Sequence, residues 1–344
     1  MDKDKSSGEF TRSVMSDIAQ KSGVSVTTVS RVLHGNKHVS FATRDKVMKH
    51  VNTLGYVHQR NTHKITRRIG ISVPFFNTYF GDIMEGAYEA VQGRGAQFIP
   101  VRTMNDYATE VSQMQQLLQQ NISGMLFLLP QQPAADLLSL KEQQGIPFVV
   151  ADPFILVPDE IPTIMVENIS ASMLGMEHLL SLGHRRISMI TGPAHWAVTI
   201  NRVAGYYAAL AAAGVPIDPD LICEGRWTAE SGEEICHYLL SLPEPPTAIF
   251  ACNDAMAIGA MHNIHRQGLK IPEDISVIGF DDASEKLPYL IPPLTTIHHP
   301  LKEIGRLSID VLYRLMQQQP LDATHIKLST RLIIRESTGP CKSL

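Results

Sequence analysis

At 344 residues the chain exceeds one ordinary core and predicts two or three domains. A hydrophobic fraction of 44% against 19% charged residues excludes a disordered chain. No apolar run approaches the ~18 residues of a membrane span, and the polar start Met1-Asp2-Lys3-Asp4-Lys5 is not a secretion signal, so the chain is expected to stay in the cytoplasm with no membrane partner. The net charge of −4 is unevenly placed: residues 1–70 carry 13 Lys and Arg against 5 Asp and Glu, and the remaining 274 carry 17 against 29. A basic head on an acidic body suits only the head to a polyanion.

Residues 1–13 lack periodicity and predict a mobile extension. Residues 14–57 then predict three helices. In the first, Ser16 to Ser22, Ser16 is a candidate N-cap, Ile18 and Ala19 face inward, and Gly23 suits the left-handed position at the end. Ser25 can cap a second helix whose Val29, Val32 and Leu33 face a core, leaving Thr27, Thr28, Ser30 and Arg31 on other faces. A third, Ser40 to Leu54, places Val47, Val51 and Leu54 on one side. This is the layout of a helix-turn-helix, whose second helix enters the major groove by its N-terminal half. Hydroxyls and backbone N–H groups there hold phosphates, and an arginine can grip O6 and N7 of a guanine. A small helical subdomain that touches no nucleic acid has the same pattern.

The motifs Asp17-Ile18-Ala19, Gly23-Val24-Ser25, Thr28-Val29-Ser30-Arg31-Val32-Leu33, Val39-Ser40, Thr43-Arg44 and Leu54-Gly55-Tyr56 together resemble the headpiece of the lactose-repressor (LacI type) family of bacterial transcription regulators. The resemblance implies that Val26, Thr27, Ser30 and Arg31 approach bases, while Ser25, Thr28, His38, Ser40, Thr43 and Tyr56 sit near phosphates. Valine at position 26 suits contact with a thymine methyl rather than a hydrogen bond. It further implies that residues 58–68 form a hinge in which Ile65 wedges into the minor groove, with Lys64, Arg67 and Arg68 following phosphates. His58 in place of proline, and residues such as Thr62 in place of alanine, depart from the family pattern; a plain basic linker is the alternative.

From Ile69 onward short apolar runs alternate with helical patterns. The predicted strands begin at Ile69, Gln97, Gly124, Pro147, Ile187, Leu221, Ala248 and Ile275, with a last helix over Leu301 to Met316. Two such sets imply two parallel-sheet subdomains with a cleft between them. Sheets of this kind bind ligands outside the carboxyl ends of their strands, which points to Tyr79 and Phe80 in one half. In the other half it points to Arg202, Trp227, Asn253, Asp254, Asp281 and Asp282. An arginine, carboxylates, an amide and aromatic platforms suit a sugar-like effector. Trp227 also fits a core, and the carboxylates, Asp254 in particular, also fit helix caps or structural ion pairs.

The family resemblance continues through Gly183-His184-Arg185-Arg186-Ile187, Arg202-Val203-Ala204-Gly205-Tyr206, Asn253-Asp254, Val277-Ile278-Gly279-Phe280-Asp281-Asp282 and Arg335-Glu336-Ser337-Thr338. It implies a periplasmic-binding-protein-like body, an effector role for Arg202 and Asp254, and crossings between subdomains near Glu167-Asn168, His298 to Pro300 and Leu321 to His325.

Cys223, Cys236, Cys252 and Cys341 are scattered without metal-ligand spacing and read as reduced thiols. His262 and His265 are a thin basis for a metal, and neither a G-x-S-x-G elbow nor a G-x-x-x-x-G-K-[ST] loop occurs, so no metal, cofactor or catalysis is expected. The expected fold is an all-α helix-turn-helix headpiece plus an α/β body over residues 69–344. Its two doubly wound parallel-sheet subdomains cover about 69–166 with 300–323, and about 167–299 with 324–344. The expected function is that of a homodimeric regulator, a repressor of a carbohydrate-utilisation operon, that binds a near-palindromic operator with an affinity set by a sugar. A solute-binding protein, and an enzyme on the doubly wound body, are the competing classes.

Overall fold

The computed structural model describes residues 15–33, 39–53 and 67–342, and its contacts divide at Thr66–Arg67 into two units. In the first unit helix α1 covers residues 15–22, α2 Val26–Leu33 and α3 Phe41–Thr53. Gly23 takes φ +67°, and the N–H groups of Gly23 and Val24 return to the carbonyls of Gln20 and Ala19 at 3.3 and 3.1 Å. That pair of bonds stops a helix on a left-handed residue and leaves a tight turn before the next one. Ile18, Ala19, Val29, Val32, Val47 and Val51 then close a small core, the faces expected from their spacing.

The second unit alternates β1 (Arg67–Val73), α4 (Thr78–Val91), β2 (Ala96–Arg102), α5 (Tyr107–Leu118), β3 (Gly124–Leu128), α6 (Ala134–Gln144), β4 (Phe148–Ala151) and β5 (Thr163–Val166). It continues with α7 (Asn168–Ser181), β6 (Ile187–Thr191), α8 (Ala197–Ala212), β7 (Ile222–Glu224), α9 (Ala229–Leu240), β8 (Ala248–Ala251), α10 (Asp254–Arg266) and β9 (Ser276–Asp281). It ends with β10 (Thr295–His298), α11 (Leu301–Met316), β11 (His325–Leu328) and β12 (Arg331–Ile333). Two six-stranded sheets result, ordered β11-β5-β4-β3-β1-β2 and β12-β10-β9-β8-β6-β7. Every residue of β3, β4, β6, β8 and β9 is buried, which is why these strands read as unbroken apolar runs rather than alternations.

The chain passes between the sheets three times: after β5, after β10 and after β11. β11 pairs parallel with β5, so the third crossing falls between Leu328 and Arg331, later than the expected Leu321 to His325. Since β5 and β10 both leave their sheets at the crossing region, the carboxyl ends of all the parallel strands meet there. β11 runs toward that region and β12 runs away from it, so β12 pairs antiparallel with β10, the one departure from the parallel expectation among the described residues.

Arg67 and Arg68, expected in the hinge, are the first residues of β1. Arg68 Nη1 donates to the Gln120 carbonyl at 2.8 Å, and the Arg67 guanidinium lies 5.5 Å from the centre of the Tyr313 ring. The backbone pairing of Arg67 and Arg68 with Ala96 and Gln97 claims both residues for the sheet. His38, Leu54, Tyr56 and Ile65 lie outside the described residues.

Candidate functional site

Each sheet presents its strand ends to the crossing region, and polar side chains from both subdomains meet there. From the first, Asp152 directly follows β4 and Tyr79 stands in the first turn of α4, which Asn77 caps by accepting from the Phe80 N–H at 3.1 Å. The Tyr79 hydroxyl donates to the Asp152 carboxylate and lies 3.3 Å from His299 Nδ1. Burial, then the Asp152 charge, pushes the phenol well above its ordinary range. Successive helical residues point about 100° apart, so Phe80 turns away into the core of the first subdomain and buttresses Tyr79 edge-on at 5.2 Å.

From the second subdomain comes Arg202, 3% exposed on α8. Its Nε donates to Asn168 Oδ1 at 2.9 Å, its Nη1 donates to the Cys252 carbonyl, and its Nη2 lies 3.7 Å from Asp281 Oδ1. The ring of Phe280 covers its flat face, with 3.5 Å from guanidinium carbon to ring centre. Asp281 ends β9 at φ +111° and Asp282 follows at φ +52°, two successive residues in a region that side chains disfavour. His299, in the second crossing, closes the chain of groups: its Nδ1 is 3.7 Å from Asp281 Oδ1 and its Nε2 3.9 Å from Asp152 Oδ1.

An aromatic wall stands beside these groups. Phe154, Trp196 and Trp227 succeed one another with ring centres 4.8 and 5.7 Å apart, and the Ala197 N–H at the start of α8 donates to the Phe154 carbonyl at 2.6 Å. Trp227 sits at φ +64°, held by Asn253, whose Nδ2 donates to the Trp227 carbonyl at 3.0 Å while its Oδ1 accepts the Met256 N–H and caps α10. Its indole lies against Gly192, where a Cβ would come within 1.9 Å of the ring.

Asp254, expected at the pocket, braces the loops behind it. Its two oxygens accept from the Thr296 hydroxyl at 2.6 Å and from the Ala283 N–H at 3.3 Å. Burial, then the nearby Asp281 charge, raises its carboxyl well above the ordinary range. Thus Tyr79, Arg202, Trp227 and Asp281 are brought together, whereas Phe80, Asn253 and Asp254 support them from behind. Sequence reasoning passed over Asp152, Phe154, Trp196 and His299. Asp152 follows a strand by the same rule that found Asp281, and His299 lies in a crossing already marked. A surface depression of about 570 Å³ against α9 and α10 is lined by charged residues, Glu230, Glu233, Glu234 and Arg266 among them, and Arg266 is paired to Glu233 at 2.7 Å.

In the first unit Ser25 Oγ accepts the Thr28 N–H at 3.1 Å and lies 2.7 and 2.8 Å from the hydroxyls of Thr27 and Thr28. Ser40 does the same for α3, accepting the Thr43 N–H at 3.3 Å with its hydroxyl 2.8 Å from that of Thr43. Val26 is 44% exposed, Thr27 and Arg31 are exposed, and Thr28 and Ser30 are half-buried. Both helix starts thus present hydroxyls and N–H groups together, the chemistry of a phosphate contact.

Residues 14–59 match the family model "Bacterial regulatory proteins, lacI family", and residues 176–338 match "Periplasmic binding protein-like domain". The HTH-type transcriptional repressor CytR of Escherichia coli (strain K12) is 36% identical over 341 residues, spanning 97% of this chain and 98% of that protein. The HTH-type transcriptional regulator DegA of Bacillus subtilis (strain 168) is 33% identical over 94% of this chain and 97% of its own. Among solved structures, the lac repressor dimer bound to operator and the anti-inducer ONPF is similar with a TM-score of 0.72 and 30% identity, over 94% of this chain and 98% of that one. The transcriptional regulator CelR in complex with cellobiose gives 0.72 and 29%, over 94% and 99%. The chain belongs to the lacI family of bacterial regulatory proteins. It is a transcription regulator with a helix-turn-helix head and an effector-binding body, and a role as a plain solute-binding protein is set aside. No helix among the described residues is long and apolar enough to cross a membrane.

Proposed function

We propose that the chain is a repressor of a carbohydrate-utilisation operon, that two copies read the two halves of a near-palindromic operator, and that a sugar-like effector in the cleft lowers operator affinity. The observation that carries this reading is the chain of polar groups Tyr79, Asp152, His299, Asp281 and Arg202, which draws on both subdomains and one crossing. A ligand that bonds to both sides has a different affinity for the closed and open arrangements, which is the requirement for it to shift the protein between them. The similar lac repressor is a dimer on its operator and the similar CelR holds cellobiose, which supports both halves of the proposal.

On the DNA side, Val26, Thr27, Ser30 and Arg31 would read bases, and Ser25, Thr28, Ser40 and Thr43 would hold phosphates. His38, Tyr56 and Ile65 keep the roles that the family resemblance implies. On the effector side, Tyr79, Arg202, Trp227 and Asp281 would line the pocket, while Phe80, Asn253 and Asp254 position it. Catalysis has no place in this reading, and the similar proteins CytR and DegA are transcription regulators. Coupling between effector and operator of about 1–3 kcal/mol is the usual size. Mobility shifts on a self-selected duplex library at physiological salt test the proposal. A specific near-palindromic site, released on adding one member of a sugar panel, is expected. If no specific sequence emerges, operator reading is refuted.

A further inference from the structure

Helix α8 is apolar on both of its sides, although only one of them is covered. Across its 16 residues the single charged side chain is Arg202, which is buried. On the inner side Tyr206, Ala209 and Leu210 join the core of the second subdomain, and Gly205 fits so closely against α7 that a Cβ would come within 2.3 Å of the Ile169 carbonyl oxygen. On the outer side Ile200 is 54% and Tyr207 37% exposed, Ala211 is exposed, and Val203, Ala204 and Ala208 are half-buried. Ile169 and Leu174 of the adjoining α7 are exposed as well. A helix that is apolar all round belongs in the interior of a larger body.

The absence of charge decides what can cover this stripe. A charged partner would give up its water against α8 and find no counter-charge there, which is costly. The occupant must therefore offer an uncharged apolar surface of its own. The exposed faces of α4, α9 and α11 carry Glu85, Glu234 and Arg306, and α5 shows Gln115 and Gln116. Among the described helices, α8 alone has a surface that matches α8.

The stripe also fits itself in shape. Residues 200, 204, 207 and 211 fall on one line along the helix, since their spacing of four, three and four returns to the same side. When two such lines run antiparallel about a twofold axis, Ile200 of each copy faces Ala211 of the other, and Tyr207 of each faces Ala204 of the other. Every large side chain meets a small one. In a parallel pair like would meet like, leaving the tyrosines crowded and the alanines apart. We infer that the outer stripe of α8 is a contact surface for a second copy of this chain, the two helices packing antiparallel in a self-complementary contact. Two helices of this length bury less than the ~1,200 Å² of a stable interface, so the association is weak, with a Kd on the order of 10 μM.

Sedimentation of the full chain between about 0.1 and 100 μM tests this. The mass should at least double from that of the smallest assembly as concentration rises. Because the contact contains no ion pair, the association should persist when NaCl is raised from about 0.05 to 0.5 M. Ala211→Arg places a cation on an exposed site in the last turn, where the helix itself favours one, so the fold should be kept while association weakens at least tenfold. Tyr207→Ala should weaken it as well. Three outcomes overturn the inference: a wild type that stays at its smallest assembly throughout, an association that salt abolishes, or an Ala211→Arg chain that associates as well as the wild type.

Discussion

Arg335 and Asp282 are joined within the second subdomain, from the segment after β12 to the turn after β9: Arg335 Nη2 donates to Asp282 Oδ1 at 2.8 Å, both side chains being largely buried. The other oxygen of Asp282 lies 3.1 Å from His298 Nδ1, at the second crossing, and Arg335 Nη1 donates to the Leu294 carbonyl at 2.7 Å. One carboxylate therefore ties the second crossing and the segment after β12 to the turn that aims Asp281 at Arg202. Lys327 and Glu167 tie the first crossing to the third at 2.8 Å.

Asp282→Asn, which keeps the size and the left-handed tolerance but not the charge, should cost about 1–3 kcal/mol of stability in urea unfolding. It should also weaken the effector-induced change in operator affinity more than it weakens effector binding itself. Equal losses in both would reduce the pair to a stability element.

Arg202→Ala leaves Asp281 buried without its cation, so a cost of about 3–5 kcal/mol to the body is expected, together with loss of the effector response. Operator binding should survive at temperatures where the body remains folded, since Arg202 lies outside the unit that carries the head. Denaturant melts alongside mobility shifts separate the two effects. An unchanged effector response would displace the proposed pocket.

Asp254 carries a pH signature. Its carboxyl is raised by burial and then by Asp281, so the folded state holds the proton more tightly than the unfolded chain, where an aspartate titrates near ~3.9. The stability this contributes is complete below that value and is lost as pH rises through the folded one. Asp254→Asn has no such proton to lose. The stability of the variant relative to the wild type should therefore rise with pH from about 4 upward. A difference that stays flat over that range would mean that Asp254 is ionised when folded.

In the head, Arg31 is exposed in the last turn of α2. Arg31→Ala should cost about 1–3 kcal/mol at one base pair of each half-site and relax the preference there. Uniform loss on every sequence, with a shallower salt dependence, would make Arg31 a phosphate contact instead.

What could be read in the sequence follows from how each signal arises. The three helices of the head were legible because Gly23 and the serines at 25 and 40 mark their ends and valine spacing marks their core. The long buried strands announced themselves as apolar runs. β5 and β10, of four residues each, did not, because Thr163, Thr295 and Thr296 are buried within them and satisfied by neighbours that only the fold supplies, and β11 and β12, of four and three residues, did not because they are half-exposed and carry no long apolar run. The same limit applies at the cleft. Strand ends pointed to Asp254 and Asp281 alike, and only the fold shows that Asp254 is bonded to Thr296 and Ala283 while Asp281 keeps an unpartnered Oδ1. Trp196 and Phe154 carry no signal of their own; their meeting depends on two loops that are 42 residues apart in the chain.

The three crossings have a consequence for synthesis. The first subdomain is completed by α11 and β11, whose residues lie beyond almost the whole of the second; Leu301, Ile304, Ile309 and Leu312 fill a core that β1 and α4 begin. The second in turn needs β12, the last strand described. Neither half of the body can close until nearly the entire chain has left the ribosome, whereas the head, confined to the first 66 residues, has every partner it needs much earlier. A nascent chain would thus display a finished DNA reader before the part that governs it exists, and a truncated product would have the reader without its control.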